Sequence, residues 1–414
     1  MEVLITSDIS GQLWNACIWD INTGTSLTSY KGESTNHRGL CILGNQYLLG
    51  ASCTKPLIHV WALQRREQHH LKIICPGKVT ALTVSKDGTY CVAAAGEKLH
   101  IWQVCTGNLL AVLSRHYQTV NVVRFTDNGS HFISGGEDNL IIVWSISSIM
   151  SSIHNHTRKP DPVRIWSNHS LPITDLYVGK GGSQARVVSS SLDQTCKIWD
   201  MVSGELLHTI IFPCSIMSVT MDTAEYRMIS GGSNGDIYCV NMYGQPIRKE
   251  RHIDTQDNEN VTCFKGHSKQ VTCLSISMDG TKLVSGSHDS SVKIWDIFSG
   301  QCLRSLPHKG PISNAMIIPT PPAVHNPEIK PTMPLQAFKR NLYTGDDSEG
   351  YININLHNTC NVLDQQYTDL TDLEEKQSKE SNIETLTAEL HEVKAKNKDL
   401  YLYTINEILH NKDG

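Results

Sequence analysis

Six times in this chain an apolar run ends in tryptophan: "ACIWD" at Trp19, "IHVWA" at Trp61, "LHIWQ" at Trp102, "IIVWS" at Trp144, "CKIWD" at Trp199 and "VKIWD" at Trp295. Between the last two, "DIYCVNM" fits the same frame with Val240 in the tryptophan's place. Successive positions lie 42, 41, 42, 55, 41 and 55 residues apart. A period of about 40–45 residues is that of a four-stranded propeller blade. Each unit also holds other short alternating strands cut by Gly, Asp and Ser turns. In the last complete unit these are "VTCLSIS", "KLVSGSH", "VKIWDI" and "CLRSLPH". One Trp-Asp pair would say little. Seven units in register predict an all-β, seven-bladed β-propeller.

A second pattern runs inside the units. From His116 the chain reaches Ser134, Asp138 and Trp144 at offsets of 18, 22 and 28, and from His267 it reaches Ser285, Asp289 and Trp295 at the same offsets. From His169 to Ser189, Asp193 and Trp199 only the first gap is longer, by two residues. These residue types can satisfy one another. The turn Asp accepts from the His ring, which passes the link to the Ser hydroxyl and the Trp indole N–H, and buried polar groups need such partners. A Ser, a His and an Asp together also invite a hydrolase reading. The sets recur with the repeat, however, and no G-x-S-x-G elbow accompanies them, so they are read as structural. The third unit, "VTALTVSKDGTYCVAAAGEKLHIW", has neither the His nor the turn Asp. That blade is expected to hold together by packing alone.

The first unit begins at "VLITSD", with the character of a second strand, while "GPISNAMIIP" (310–319) alternates like a first strand without a blade of its own. The expected ring therefore spans residues 1–319, with 310–319 entering the first blade and removing the open sheet edges. A competing count takes "NLYTGDDSEGYININL" (341–356) as two strands of an eighth blade. Lacking the Trp, it is read instead as an extension of the first blade or as part of an irregular linker, 320–365.

The two 55-residue gaps hold the insertions "SISSIMSSIHNHTRKPDP" (145–162) and "YGQPIRKERHIDTQDNEN" (243–260), both between third and fourth strands. A further irregular segment, "TPPAVHNPEIKPTMPLQAFKR" (320–340), follows a first strand. In an up-and-down blade those connections emerge on one face of the disc. That face is the candidate partner surface, with His154, Arg158, Lys159, Arg248, Lys249 and Arg251 as candidate contacts. The bland alternative is that surface loops tolerate insertion anywhere. Both insertions lie outside the repeat and are expected to be dispensable for the fold. "HNH" at 154–156 is read as solvent-exposed rather than metal-binding.

From residue 366 to 414 the pattern is charged and helical. Ile383, Leu386, Leu390, Val393, Asn397 and Leu400 step by 3, 4, 3, 4 and 3, the seam of a short coiled coil. Asn397 at an a position would favour a paired, in-register homodimer. Packing of this helix on the propeller or on another subunit is the alternative. From Asp364 onward twelve acidic and six basic residues leave the tail at −6 and the body near +1, against a total of −5. A near-neutral body argues against a dominant phosphate-binding surface. Thirteen scattered cysteines without a C-x-x-C pair exclude the usual zinc and dithiol spacings. No signal peptide, membrane span, cofactor or catalytic residue is expected.

Stretches outside the generic repeat carry a resemblance: "LSRHYQTV" (113–120), "HFISGGED" (131–138), "LPITDL" (171–176), "SSLDQT" (190–195), "SIMSVTMD" (215–222) and "KGPISNA" (309–315). With them the chain resembles the Ipi-type WD40 propeller subunits of the Rix/Ipi pre-ribosome maturation complex, over nearly the whole propeller and, in kind, in the coiled-coil tail. The segment 320–365 matches poorly. The resemblance implies a non-enzymatic scaffold that helps mature rRNA and the large ribosomal subunit precursor, in the nucleolus and nucleoplasm with a cytoplasmic pool. It also implies partners: a proline-, glutamate- and leucine-rich Rix-type scaffold, a HEAT-repeat Ipi-type subunit, the AAA ATPase midasin, a SUMO protease, an rRNA endonuclease and the pre-ribosomal particle. A substrate receptor of a cullin-type ubiquitin ligase and a general nuclear, chromatin or cytoplasmic assembly scaffold are the rival readings. Against the first, Asn22, Val202 and Phe298 stand two residues after the Trp-Asp pairs, where such receptors carry a base.

Overall fold

Short runs rich in Val, Ile and aromatic residues, each ended by a turn, build seven antiparallel sheets of a β-propeller in the computed structural model. The structure describes residues 2–11, 15–65, 71–154, 160–243, 249–253, 261–326, 331–343 and the single residue 394. The chain divides into two compact units, Met1–Ile354 and Asn355–Gly414. Apart from Lys394 the second unit lies outside the described residues, and with it the expected coiled-coil tail and its seam from Ile383 to Leu400.

Blade 1 consists of Ile312–Pro319, Glu2–Asp8, Ala16–Asp20 and Ser26–Tyr30, in that order from the axis outward. Its first strand comes from the far end of the propeller and pairs antiparallel with the N-terminal one, from Glu2 opposite Pro319 to Ser7 opposite Asn314. The first strands of the other blades are Thr35–Leu43, Val79–Val84, Val120–Phe125, Ile173–Val178, Ile216–Met221 and Val271–Ile276. Each touches the first strand of the next blade, so together they wall a central channel.

The repeated stretch "WDxxSG" has a local cause. Asp200 and Asp296 end third strands, and their carboxylates accept the backbone N–H of Ser203 and Ser299. The carbonyls of the same aspartates accept from Gly204 and Gly300. Both glycines stand at positive φ, 77° and 71°, where a side chain would be strained. The motif is therefore the turn into the fourth strand, on the face here termed lower, which also carries the connections between first and second strands.

Two expectations about the irregular segments need correction, the dispensable first insertion and the extension of blade 1. The insertion after Ser145 is not a dispensable loop: Ile146–His154 forms helix α1, with Ile149 only 1% exposed. Ile146, Ile149, Met150 and Ile153 recur at helical spacing and join the core between blades 3 and 4. In the second insertion, Glu250–His252 adds a fifth, parallel strand to the outer edge of blade 5. That register follows from unpaired N–H and C=O groups on an edge strand, which any passing strand can satisfy.

The segment after the closing strand is a strap. Pro322–His325 forms the short helix α2, whose Ala323 is buried beside blade 1. Met333 and Phe338 are 7% and 6% exposed in the core between blades 2 and 3. Burial of two such side chains is worth about 1.5–3 kcal/mol each. Further on, Leu342 bridges Leu109 and the Tyr343 N–H donates to the Leu109 carbonyl. This start of 341–356 thus extends blade 3 rather than blade 1. Residues 344–356 lie outside the described residues.

Candidate functional site

The hydrogen-bond geometry brings each His, Ser, Asp and Trp set together. His116 Nδ1 lies 2.9 Å from Asp138 Oδ2 and its Nε2 2.8 Å from Ser134 Oγ, which accepts the Trp144 indole N–H at 3.0 Å. His169 repeats this with Asp193, Ser189 and Trp199 at 2.8, 2.8 and 2.9 Å. His267 does so with Asp289, Ser285 and Trp295 at 2.8, 2.7 and 2.8 Å. A carboxylate accepting at Nδ1 leaves Nε2 as the acceptor for the serine hydroxyl, which is the arrangement of a hydrolytic triad. Here it has no access. All three serine residues are 0% exposed, and each serine oxygen already accepts an indole N–H.

The charges are settled by the same contacts. Burial alone would raise the Asp289 carboxyl, but hydrogen bonds from Ser291 and His267 hold it below the usual carboxylate range. Burial in turn pushes His267 down, against the pull of Asp289.

The remaining blades solve the same problem with residues that periodicity missed. In blade 1 the Trp19 indole donates to Thr6 Oγ1 at 2.8 Å, and Thr6 is linked to His308 Nε2 at 2.9 Å. This set exists only because the two ends of the propeller meet. In blade 2 the Trp61 indole donates to the Lys31 carbonyl. Blade 3, expected to rely on packing alone, instead borrows an acceptor from the strap. The Trp102 indole donates to the Lys339 carbonyl at 2.9 Å, and Phe338 stacks on its ring at 5.2 Å. In blade 6, where Val240 replaces the Trp, Cys214, Asn234 and Tyr238 bond to one another and the buried Ser230 hydroxyl has no partner among the described residues.

A second polar cluster crosses the central channel. The first strand of blade 2 bulges: Thr35 pairs with Ser52 and Leu40 with Gly50, so residues 36–39 stand opposite Ala51 alone. Arg38 stands in this bulge at a φ of 52°, the left-handed region. Its Nε donates to Asp175 of blade 5 at 2.9 Å and its Nη2 to the Met217 carbonyl of blade 6 at 3.0 Å. The Val219 N–H also donates to Asp175, at 3.2 Å. His37 is joined through Nδ1 to the Ser313 carbonyl at 2.8 Å, and burial pushes its pKa down to about 3, leaving the ring neutral. The crossbar divides the channel into an upper cavity of 430 Å³ and a lower one of 300 Å³, with Arg38 lining both.

On the lower face, the strap and α1 occupy blades 1–4. Over blades 5–7 large side chains stay exposed: Val202 57%, Tyr226 56%, Tyr243 57%, Met278 56% and Phe298 69%. Tyr226 and Tyr243 meet edge to face at 4.8 Å, and the Arg227 guanidinium lies 4.6 Å over the Phe298 ring. Of the charged residues proposed for this face, Arg251 donates to the Asn241 carbonyl from the added strand, and Lys249 stays exposed beside it. His154 ends α1, and its side chain, with Arg158, Lys159 and Arg248, lies outside the described residues. Among the described residues no group of three or more His, Cys, Asp or Glu could hold a metal, and no helix is long and apolar enough to cross a membrane.

The chain is 46% identical to WD repeat-containing protein 18 of Mus musculus, over 84% of this chain and 81% of that protein. The Danio rerio protein of the same name is 45% identical over 84% and 80%. This chain belongs to the WD repeat-containing protein 18 family. Pre-rRNA-processing protein pro-1 of Caenorhabditis elegans is a more distant relative, 28% identical over 77% of this chain and 61% of that protein. The model of the WD domain, G-beta repeat, matches residues 107–145, 160–200 and 258–296. In this WD repeat-containing protein 18 relative those three matches end one residue past Trp144, Trp199 and Trp295, in the blades that carry the full His, Ser, Asp and Trp sets.

Proposed function

We propose that this chain is a non-enzymatic scaffold subunit of a nucleolar and nuclear complex that matures rRNA and the large ribosomal subunit precursor and supports its transit to the nucleoplasm. The observation that carries the reading is its kinship with WD repeat-containing protein 18 and with a protein named for pre-rRNA processing. The serine of each triad-like set is sealed, which favours binding over catalysis. The bare aromatic sector over blades 5–7 is the surface offered to the partners: the Rix-type scaffold first, and through it the HEAT-repeat subunit, midasin, the SUMO protease, the rRNA endonuclease and the particle. Aromatic residues with an arginine among them are the side chains that dominate such contacts.

The test is affinity purification of the tagged chain from nuclear extract with mass spectrometry, beside a Tyr226→Ser/Phe298→Ser variant. The wild type is expected to recover the Rix-type scaffold and large-subunit precursor rRNA, and the variant to recover at least about tenfold less at an unchanged melting temperature. Recovery of a cullin adaptor without pre-ribosomal components would overturn the reading.

A further inference from the structure

The lower channel cavity is a pit with a charged floor. It is open below and closed above by Arg38, which is braced on Asp175 and on the Met217 carbonyl. Two guanidinium groups line it, Arg38 and Arg124, against one carboxylate. That carboxylate is already engaged three times: Asp175 Oδ1 accepts from Arg38 and from the Leu176 N–H, and Oδ2 accepts from the Val219 N–H. Arg124 stands off at 3.9 Å with its side chain 45% exposed, and Asp175 is its closest ionic contact among the described residues. His37 adds no further positive charge, because burial keeps its ring neutral.

The pit therefore holds one positive charge in excess inside a low-dielectric wall. Phe125, Leu176, Leu274 and Met316 supply apolar sides. Arg38 is held at positive φ to reach the axis, and backbone of that kind is retained where the surroundings fix it, often at sites that bind. A channel plug needs only Arg38 and Asp175. Arg124 is surplus to the plug.

We propose that the lower channel pit binds a carboxylate presented by an acidic segment of a protein partner, with the Arg124 fork as its main donor and Arg38 at the floor. A planar guanidinium matches a carboxylate through two parallel hydrogen bonds. The volume of 300 Å³ suits one side chain or a chain end. A nucleic-acid backbone is a poorer fit, since it continues in both directions and calls for a groove rather than a dead end.

The experiment uses the full chain and the fluorescein-labelled, C-terminally amidated peptide Gly-Ser-Gly-Ser-Glu-Glu, followed by fluorescence anisotropy at about 50 mM and about 300 mM salt. Saturable binding that weakens at higher salt is expected. Arg124→Gln and the uncharged Gln-Gln peptide should each weaken it by about tenfold or more, with Arg124→Lys in between because it keeps charge and loses the fork. The melting temperature of Arg124→Gln should match the wild type, which separates lost binding from lost fold. Equal binding by Arg124→Gln, or by the amide peptide, overturns the proposal. So does a labelled hexauridylate that binds through Arg124 as tightly as the acidic peptide.

Discussion

A buried hydroxyl is an asset in one blade and a liability in the next. Ser285 accepts from Trp295 and engages His267. Ser230, at the matching place in blade 6, is equally buried and has no partner among the described residues. Ser285→Ala leaves an imidazole and an indole N–H without partners and is expected to cost about 1–3 kcal/mol. Ser230→Ala removes an unsatisfied group and is expected to be neutral or stabilising by up to about 1 kcal/mol. Urea unfolding of the two variants measures this, and equal losses would mean that the networks carry no special weight. The complete sets were legible because each sits within one repeat at fixed offsets. The loss of Trp at Val240 was legible too, but not its result, since no local signal names Cys214 and Tyr238 as replacements. Arg38 was invisible for a different reason: a bulge breaks the alternation on which strand reading rests.

At the scale of elements, blade 3 and the strap form one unit. Trp102 lies between His100, stacked at 5.6 Å, and Phe338, and its N–H ends on the Lys339 carbonyl. Phe338→Ala is expected to cost about 3–5 kcal/mol and to loosen that acceptor as well. Hydrogen exchange should then show lost protection in Leu99–Leu113 before the strands of blade 7. A uniform loss across all blades, or none, would contradict a local role for the strap. Periodicity could not find this segment, because Met333, Leu335 and Phe338 stand among prolines without a helix or strand repeat. One clue was present. A buried indole N–H requires an acceptor, and blade 3 had lost its own Ser-bearing set, so another segment had to supply one. The α1 stripe of Ile146, Ile149, Met150 and Ile153 was equally on view. Its serine-rich surroundings gave it the look of a loop.

For the molecule as a whole, the ring is expected to be sensitive to acid at its seam. His37 and His308 both connect to the two-ended blade 1, through Ser313 and Thr6. Burial lowers both, His37 to about 3. A histidine held neutral in the fold is protonated first in the unfolded chain, so the unfolded state takes up the extra proton as pH falls. The contribution is complete above about pH 6.5 and is lost below it, down to about 3 for His37; the loss by pH 5 is about 2 kcal/mol. Urea midpoints are expected to fall between pH 7 and 5, and His37→Gln should flatten that slope. An unchanged slope would mean that His37 is not held neutral. The seam has a further consequence, in time rather than in energy. Thr6 and His308 stand 302 residues apart, so the first blade leaves the ribosome long before the strand that completes it. At about 5–20 residues per second it waits roughly 15–60 s with its inner edge bare. Through that interval the bare edge is a template on which any passing strand of another newborn chain can pair.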